Sequence, residues 1–246
     1  MSKPHIVIIS PALAKANNGN WQTARRWARF LCEHFRVMLT PETDASLTHA
    51  APDAIIALHA RRSAAAIAAF AAAHPSRPVI LVLTGTDLYR DIHTDDSAKQ
   101  SLRLATRLVV LQQAGMQELE PLLQRKTTVI YQSAPSLKSV PRNIDARHFD
   151  VTMIGHLRDE KDPATFMRAA KLLASPHVRL IHIGTALDPL LGAEAEATQR
   201  EHARYRWLRN VPHARTRQLL KRSQLMVITS RMEGGANVII VAVTSG

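Results

Sequence analysis

The chain has 246 residues, 46% apolar and 21% charged, which excludes wholesale disorder and leaves room for one large or two modest folded domains. A formal net charge of +12 favours anionic ligands, but the cations fall in scattered pairs such as Arg25-Arg26, Arg61-Arg62 and Lys221-Arg222, and aromatics are only 4%, so a nucleic-acid partner is disfavoured. One cysteine, Cys32, excludes an internal disulfide framework, no apolar run is long enough for a membrane span, and the start lacks a signal-peptide layout. A cytoplasmic setting is therefore expected, with Cys32 as buried filler in a helix.

Short β-branched runs alternate with Ala- and Arg-rich helical stretches. In the first half the pattern predicts strands over residues 5–10, 36–40, 54–59, 79–84, 108–112 and 128–131, with helices over 21–34, 63–74, 96–104 and 116–122. A stretch with Pro135, Pro141, Arg142 and Asn143 lacks periodicity and reads as a linker. The alternation then resumes. Strands are expected over 150–154, 179–184, 205–208 and 225–229, and helices over 163–174, 193–202 and 213–222, with a last helix starting near Gly235. Continuous apolar strands separated by helices imply parallel sheets covered on both faces. The expected organisation is two Rossmann-like α/β domains, 1–140 and 141–246.

Such sheets take ligands at the carboxyl ends of their strands, so those loops are the candidates for chemistry. After the first strand, Asn17, Asn18, Gly19 and Asn20 precede a helix start. Free N–H groups there suit an anion or a sugar hydroxyl, and a plain Asn cap with a glycine turn explains them equally well. The G-x-G-x-x-G spacing is absent, which disfavours a nicotinamide cofactor. After the third strand come His59, Arg61 and Arg62. Arginine at a helix start opposes the helix dipole, which points to an anionic acceptor, with one of the pair left as ordinary surface. After the fourth strand, Thr84, Gly85, Thr86 and Asp87 supply hydroxyls and a carboxylate. Asp87 either orients or deprotonates an acceptor, or caps the local turn.

The first strand of the second half runs into Gly155, His156, Arg158, Asp159, Glu160, Lys161, Asp162 and Pro163. Gly155 permits close backbone approach, Arg158 and Lys161 place two cations where a diphosphate would lie, and Pro163 suits a first helical turn. Pairing of Asp159 and Glu160 with those cations is the alternative. Downstream, Ser230, Glu233, Gly234, Gly235 and Asn237 combine a carboxylate with bare N–H groups at a strand-to-helix turn, the most specific local signal in the chain. No metal is expected: His49, His59, His74 and His93 lack ligand spacing, and there is no Asp-x-Asp.

The segment from Glu233 to Ile239, with Gly155 to Lys161 upstream, resembles the donor site of retaining GT-B glycosyltransferases. More narrowly, residues 17–28, 58–63, 84–92, 155–163 and 230–238 together resemble the selenosugar synthases of selenoneine biosynthesis. The resemblance implies a GT-B fold, two Rossmann-like domains facing a central cleft. It implies a reaction between a UDP-sugar, UDP-N-acetylglucosamine in the first instance, and selenophosphate. Both reactants are anions, in keeping with the basic balance. In that reading Arg158 and Lys161 stabilise the departing diphosphate, with Asp87 as the third catalytic residue. Gly155, His156, Arg158, Lys161, Ser230, Glu233, Gly234, Gly235 and Asn237 hold the donor. Asn18, Gly19, Asn20, His59, Arg61, Thr84 and Thr86 face the acceptor. No cofactor is required.

Two positions depart from the family pattern. A second Glu, which holds ribose hydroxyls, usually follows the first by eight residues, and that position is Val241 here. The commoner Arg after the strand-end glycine is His156. The second domain is expected to be incomplete, leaving the 225–229 strand as an open apolar edge. Either the residues belong to a longer protein or a further copy of the chain covers that edge. An O- or S-acceptor, and a non-catalytic nucleic-acid-binding protein of the same fold, are the alternative functions.

Overall fold

A computed structural model of the chain describes residues 2–11, 19–41, 51–136 and 148–245. It divides into two compact units, Met1–Gln132 with Glu233–Ala236, and Ser133–Met232 with Asn237–Gly246.

The first unit holds strands β1 (His5–Ile9), β2 (Arg36–Thr40), β3 (Ala54–Leu58), β4 (Val79–Leu83), β5 (Arg107–Val110) and β6 (Thr127–Val129), and helices α1 (Gly19–Leu31), α2 (Ala64–Ala73) and α3 (Asp96–Leu104). All strand pairs are parallel, in the order β2-β1-β3-β4-β5-β6. Side chains alternate between faces along each strand. Val7, Ile9, Ile55, Leu81 and Leu83 pack with Ile67 and Phe70 of α2 and with Leu102 of α3. Ile6, Ile8, Ile56, Leu58 and Val82 pack with Ala24, Trp27 and Leu31 of α1. Burial on both faces is why these strands read as unbroken apolar runs.

The second unit holds β7 (Phe149–Ile154), α4 (Pro163–Leu172), β8 (Val178–Ile183), α5 (Pro189–Glu201), β9 (Tyr205–Leu208), α6 (His213–Arg222), β10 (Leu225–Val227) and α7 (Asn237–Val243). Its parallel sheet has the order β10-β7-β8-β9, so β10 is an edge strand, with Leu225 exposed. Val151, Met153, Leu180, Tyr205 and Trp207 pack against Phe166, Met167 and Ala170 of α4 and Ala195 of α5. No helix among the described residues is long and apolar enough to cross a membrane.

Local structure departs from the sequence expectation in three places. The 116–122 helix is absent. A 3-10 turn, Gln113–Glu118, ends at Leu119, and a separate short helix, Pro121–Gln124, follows. The proline excludes Glu120 from helical backbone, so one helix cannot run through. Helix α1 ends at Leu31, and Cys32 falls beyond it. Cys32 is exposed, not buried, with its Sγ donating to the Arg29 carbonyl at 3.0 Å. Helix α5 starts earlier than expected. Asp188 caps it by accepting from the Leu190 and Leu191 amides, and Pro189 occupies the first turn.

Candidate functional site

In an open parallel sheet the ligand crevice opens where consecutive connections leave in opposite directions. In the first unit the chain goes from β1 outward to β2, then returns to β3 on the other side of β1. The loops after β1 and β3 therefore flank the switch point. Gly19 and Asn20, the first residues of α1, belong to the first of these loops, and His59 and Arg61 to the second. Asn18 lies outside the described residues.

His59 has φ +76° and is 3% exposed. A positive φ is costly for a residue with a Cβ, so the surroundings must hold it there. They do so through both ring nitrogens. Nδ1 accepts from the Arg62 amide at 3.3 Å, and Nε2 lies 3.0 Å from the Thr86 hydroxyl. The amide contact puts the imidazole proton on Nε2, which donates to Thr86. Burial lowers the His59 pKa, the nearby Asp87 opposes that, and Arg62 reinforces it. The ring is therefore neutral at pH 7, a hydrogen-bond relay rather than a cation.

Asp87 is fully buried. One carboxylate oxygen accepts from the Thr84 amide at 3.0 Å, the Gly85 amide at 2.8 Å and the Thr84 hydroxyl at 3.3 Å. The other accepts from the Ala60 amide at 3.0 Å. Of the two roles open to Asp87 from sequence, the geometry favours the turn. The carboxylate ties the loop after β4 to the loop after β3, and no face of it meets solvent. Asp91, which the sequence reading passed over, is the electrostatic anchor of the crevice. It is 4% exposed and accepts from Arg61 Nε at 2.9 Å and Arg90 Nε at 3.1 Å. Both guanidinium groups are near half exposed, at 43% and 45%. A single buried carboxylate thus holds two cations at the surface of the crevice.

The Glu233–Ala236 segment packs within this first unit. A Cβ on Gly234 would lie 2.3 Å from the Thr84 carbonyl oxygen, and one on Gly235 2.4 Å from Leu111 Cβ. Close packing therefore requires both glycines. The carbonyl of Glu233 accepts from Gln112 Nε2 at 2.7 Å, and the same nitrogen lies 2.7 Å from the Tyr89 hydroxyl. Gln112 stands at a strand end, the one signal that could have singled it out.

In the second unit the switch point lies between β7 and β10. The loop after β7 carries Gly155, His156, Arg158 and Lys161, and the loop after β10 carries Thr229, Ser230 and Arg231. Hydrogen bonds join them: the Thr229 hydroxyl donates to the Lys161 carbonyl at 2.8 Å, and the Arg231 amide to the Glu160 carbonyl at 2.9 Å. A 3-10 turn, Asp159–Lys161, leads to Asp162. Asp162 has φ +41° and caps α4, accepting from the Thr165 amide and hydroxyl, while Pro163 starts the helix. These bonds hold the Asp162 carboxyl below its usual range.

The aliphatic stem of Lys161 lies over Gly155, 3.7 Å from where a Cβ would stand. Arg158 Nε is shielded from solvent and has no hydrogen-bond partner, with the Glu160 carboxylate 3.9 Å away. Asp159 and Asp162 both face Arg231, at 3.1 and 3.7 Å, and Glu160 faces Arg158, the pairing that the alternative reading gave for one of the two acids. His156 Nδ1 accepts from the Thr185 amide at 3.2 Å, which leaves its proton on Nε2. Burial, then Arg158 and Lys161, lower its pKa, so it is a neutral donor at pH 7. Thr185 in turn donates to Asn210 Oδ1 at 3.0 Å. Both follow strand ends, a position that could have identified them.

Beneath this loop, a Cβ on Gly184 would lie 1.9 Å from the Gly155 carbonyl oxygen. That oxygen is 3.2 Å from Nε2 of His182, whose Nδ1 is 2.8 Å from the Tyr205 hydroxyl. His182 is fully buried, and burial pushes its pKa down to about 4. Its Nε2–H donates to Gly155, and Tyr205 donates to Nδ1. Asn237 opens α7 in this unit. Among the described residues no group of three or more potential metal ligands converges.

No family model matches the chain, and no curated protein matches it. Solved structures do. Anabaena HepE in complex with UDP and glucose matches over 98% of this chain and 78% of its own, with TM-score 0.71 and 18% identity. The catalytic domain of Arabidopsis thaliana starch synthase IV, bound to ADP and acarbose, matches with TM-score 0.73 and 10% identity, over 98% of this chain and 81% of that one. The lipopolysaccharide outer core galactosyltransferase WaaB, in its apo form, matches with TM-score 0.64 and 13% identity, over 98% and 78%. The fold is thus GT-B, an α/β fold with two parallel sheets.

Proposed function

We propose that this chain is a glycosyltransferase that joins a UDP-sugar, UDP-N-acetylglucosamine in the first instance, to selenophosphate, forming a 1-seleno-sugar for selenoneine biosynthesis. The observation that carries the donor half is the loop after β7. It sits at a switch point, presents Gly155 without a side chain, and holds a shielded Arg158 Nε that lacks a hydrogen-bond partner, beside Lys161 and the neutral donor His156. A diphosphate supplies the acceptor oxygens that such a group lacks. HepE, of the same fold, was determined with UDP and glucose, which supports a UDP-sugar as the donor.

The acceptor half rests on the crevice of the first unit. Arg61 and Arg90, pinned by Asp91, suit a phosphate-bearing nucleophile, and Thr86 relays to His59. The selenium of selenophosphate attacks the anomeric carbon while the C1–O bond to the diphosphate breaks and UDP leaves with that electron pair. Water then takes the phosphoryl group, the P–Se bond breaks, and phosphate and the selenol remain. Arg158 and Lys161 meet the charge that develops on the leaving diphosphate. Asp87 shapes the loop. Glu233, Ser230 and Asn237 are the proposed contacts to the donor.

The test is incubation of the protein with UDP-N-acetylglucosamine and UDP-glucose, each with selenophosphate, thiophosphate or phosphate, followed by mass spectrometry. A selenium-containing sugar and stoichiometric UDP are expected. A product carrying only oxygen or sulfur, or no UDP release with any acceptor, overturns the proposal.

A further inference from the structure

The second unit contains a cavity of about 310 Å³ that the donor loop does not reach. Its lining includes His148 and Asp150 at the start of β7, Arg179 near the start of β8 and Gln224 before β10, whereas the Gly155 loop follows the carboxyl end of β7. Its polar lining comprises Arg179, Arg206, Arg222, His148, Asp150 and Gln224. Asp150 and Arg179 are register partners on β7 and β8, and Ile181 and Arg206 on β8 and β9, so these residues share one face of the sheet. It is the face opposite Tyr205 and Trp207, which pack under α4 and α5. Helix α6 supplies Leu219 and Arg222 to the cavity wall.

The charges are unevenly answered. Arg179 forks onto Asp150, Nε to one oxygen at 2.7 Å and Nη2 to the other at 2.9 Å, which occupies the single carboxylate of the cavity. The guanidinium groups of Arg206 and Arg222 meet no acid, carbonyl or hydroxyl among the described residues. Three other arginines of the unit do find such partners: Arg209 meets Glu196, Arg231 meets Asp159, and Arg204 meets two backbone carbonyls. The apolar part of the lining is Ile181, Leu208 and Leu219.

We propose that this cavity binds a phosphomonoester with an apolar or ring-shaped body, at a site separate from the donor loop. Arginine is the side chain suited to hold a phosphate by paired N–H donors. A cavity of roughly 300 Å³ is at the lower end of small-molecule sites. Arg206 and Arg222 take the phosphate oxygens, Gln224 offers an amide, and the body of the ligand rests on Ile181, Leu208 and Leu219. Arg222 belongs to the Lys221-Arg222 pair, part of the positive excess of the chain.

The probe is phenyl phosphate, titrated calorimetrically into the intact protein, with inorganic phosphate and phenol as comparisons. The expected result is a site, beyond any phosphate binding at Arg61 and Arg90 or at the donor loop, that binds phenyl phosphate more tightly than either comparison. Affinity should fall at least tenfold in the double variant Arg206→Ala, Arg222→Ala and stay unchanged in Lys161→Ala. Both substituted arginines are exposed, and an unchanged thermal midpoint of the double variant shows that the loss is local. Arg206→Glu alone should also abolish binding, by reversing one charge. Unchanged affinity in the double variant, loss of binding in Lys161→Ala, or no phenyl phosphate binding at all would each overturn the proposal.

Discussion

The two switch-point crevices solve the same problem with opposite materials. In the first unit, charged groups go inside: Asp87 and Asp91 are buried, each meets several donors, and His59 is locked between an amide and a hydroxyl. In the second unit, the interior of the loop is glycine against backbone, with Gly155 over Gly184, and the charged side chains stay near the surface. A buried carboxylate with four donors fixes loop geometry but cannot exchange partners. A surface cation next to a bare backbone can meet a ligand charge. The first crevice is therefore expected to fail by unfolding when altered, and the second by losing ligand.

Four changes test this contrast. The largest effect is expected from Asp87→Ala, which strips the acceptor from three backbone amides in a dry site. A loss of about 3–5 kcal/mol in a urea unfolding titration is expected. A variant with native stability would show that the carboxylate is not structural. Next comes Lys161→Ala, where the fold should persist while kcat/KM falls by the equivalent of about 2–4 kcal/mol of transition-state stabilisation. Unchanged turnover would remove Lys161 from the diphosphate site.

The third change concerns pH. His182 titrates near 6.5 in the unfolded chain and about 4 when folded. Between those values the unfolded chain takes up a proton that the folded chain refuses. The contribution is therefore complete above pH 6.5, is lost as pH falls toward 4, and levels off below. The whole step corresponds to about 3 kcal/mol at most. His182→Gln keeps an amide donor for the Gly155 carbonyl and should flatten the stability profile in that window. An identical slope in the two proteins would show that other groups cause it. The smallest effect is expected at Arg231→Ala. Its ion pair with Asp159 is exposed on both sides, at 58% and 77%, so the change in unfolding free energy should stay below about 1 kcal/mol. A larger loss would mean that the two loops depend on that pair rather than on the backbone bonds between them.

Much of the architecture was legible in the chain because its signals are local. Apolar runs such as residues 6–9 and 79–83 mark the strands, and Asp162 before Pro163 marks a helix start. Most strands and helices lie within a few residues of their expected positions. The exceptions have physical causes: Pro121 interrupts a helix that periodicity alone would continue, and Cys32 lies past the last turn that α1 can bury. The Asp188-Pro189 signal was present in the sequence and would have moved the start of α5 to its observed place.

The site divides the same way. Which residues reach the carboxyl ends of the strands is readable from the chain, since that follows from strand periodicity and loop position. His59, Thr84, Asp87, Gly155, Arg158 and Lys161 could all be found so. What each meets there depends on contacts between distant segments. Asp87 meets Ala60, Arg61 meets Asp91, His182 meets Gly155, and Gly234 touches Thr84 across separations of 27 to 150 residues. These pairings decide which carboxylate is buried, which imidazole nitrogen carries the proton and why a glycine is required. They depend on how strands are ordered in a sheet, and strand order is set by the packing of distant elements, which no local pattern of residues records.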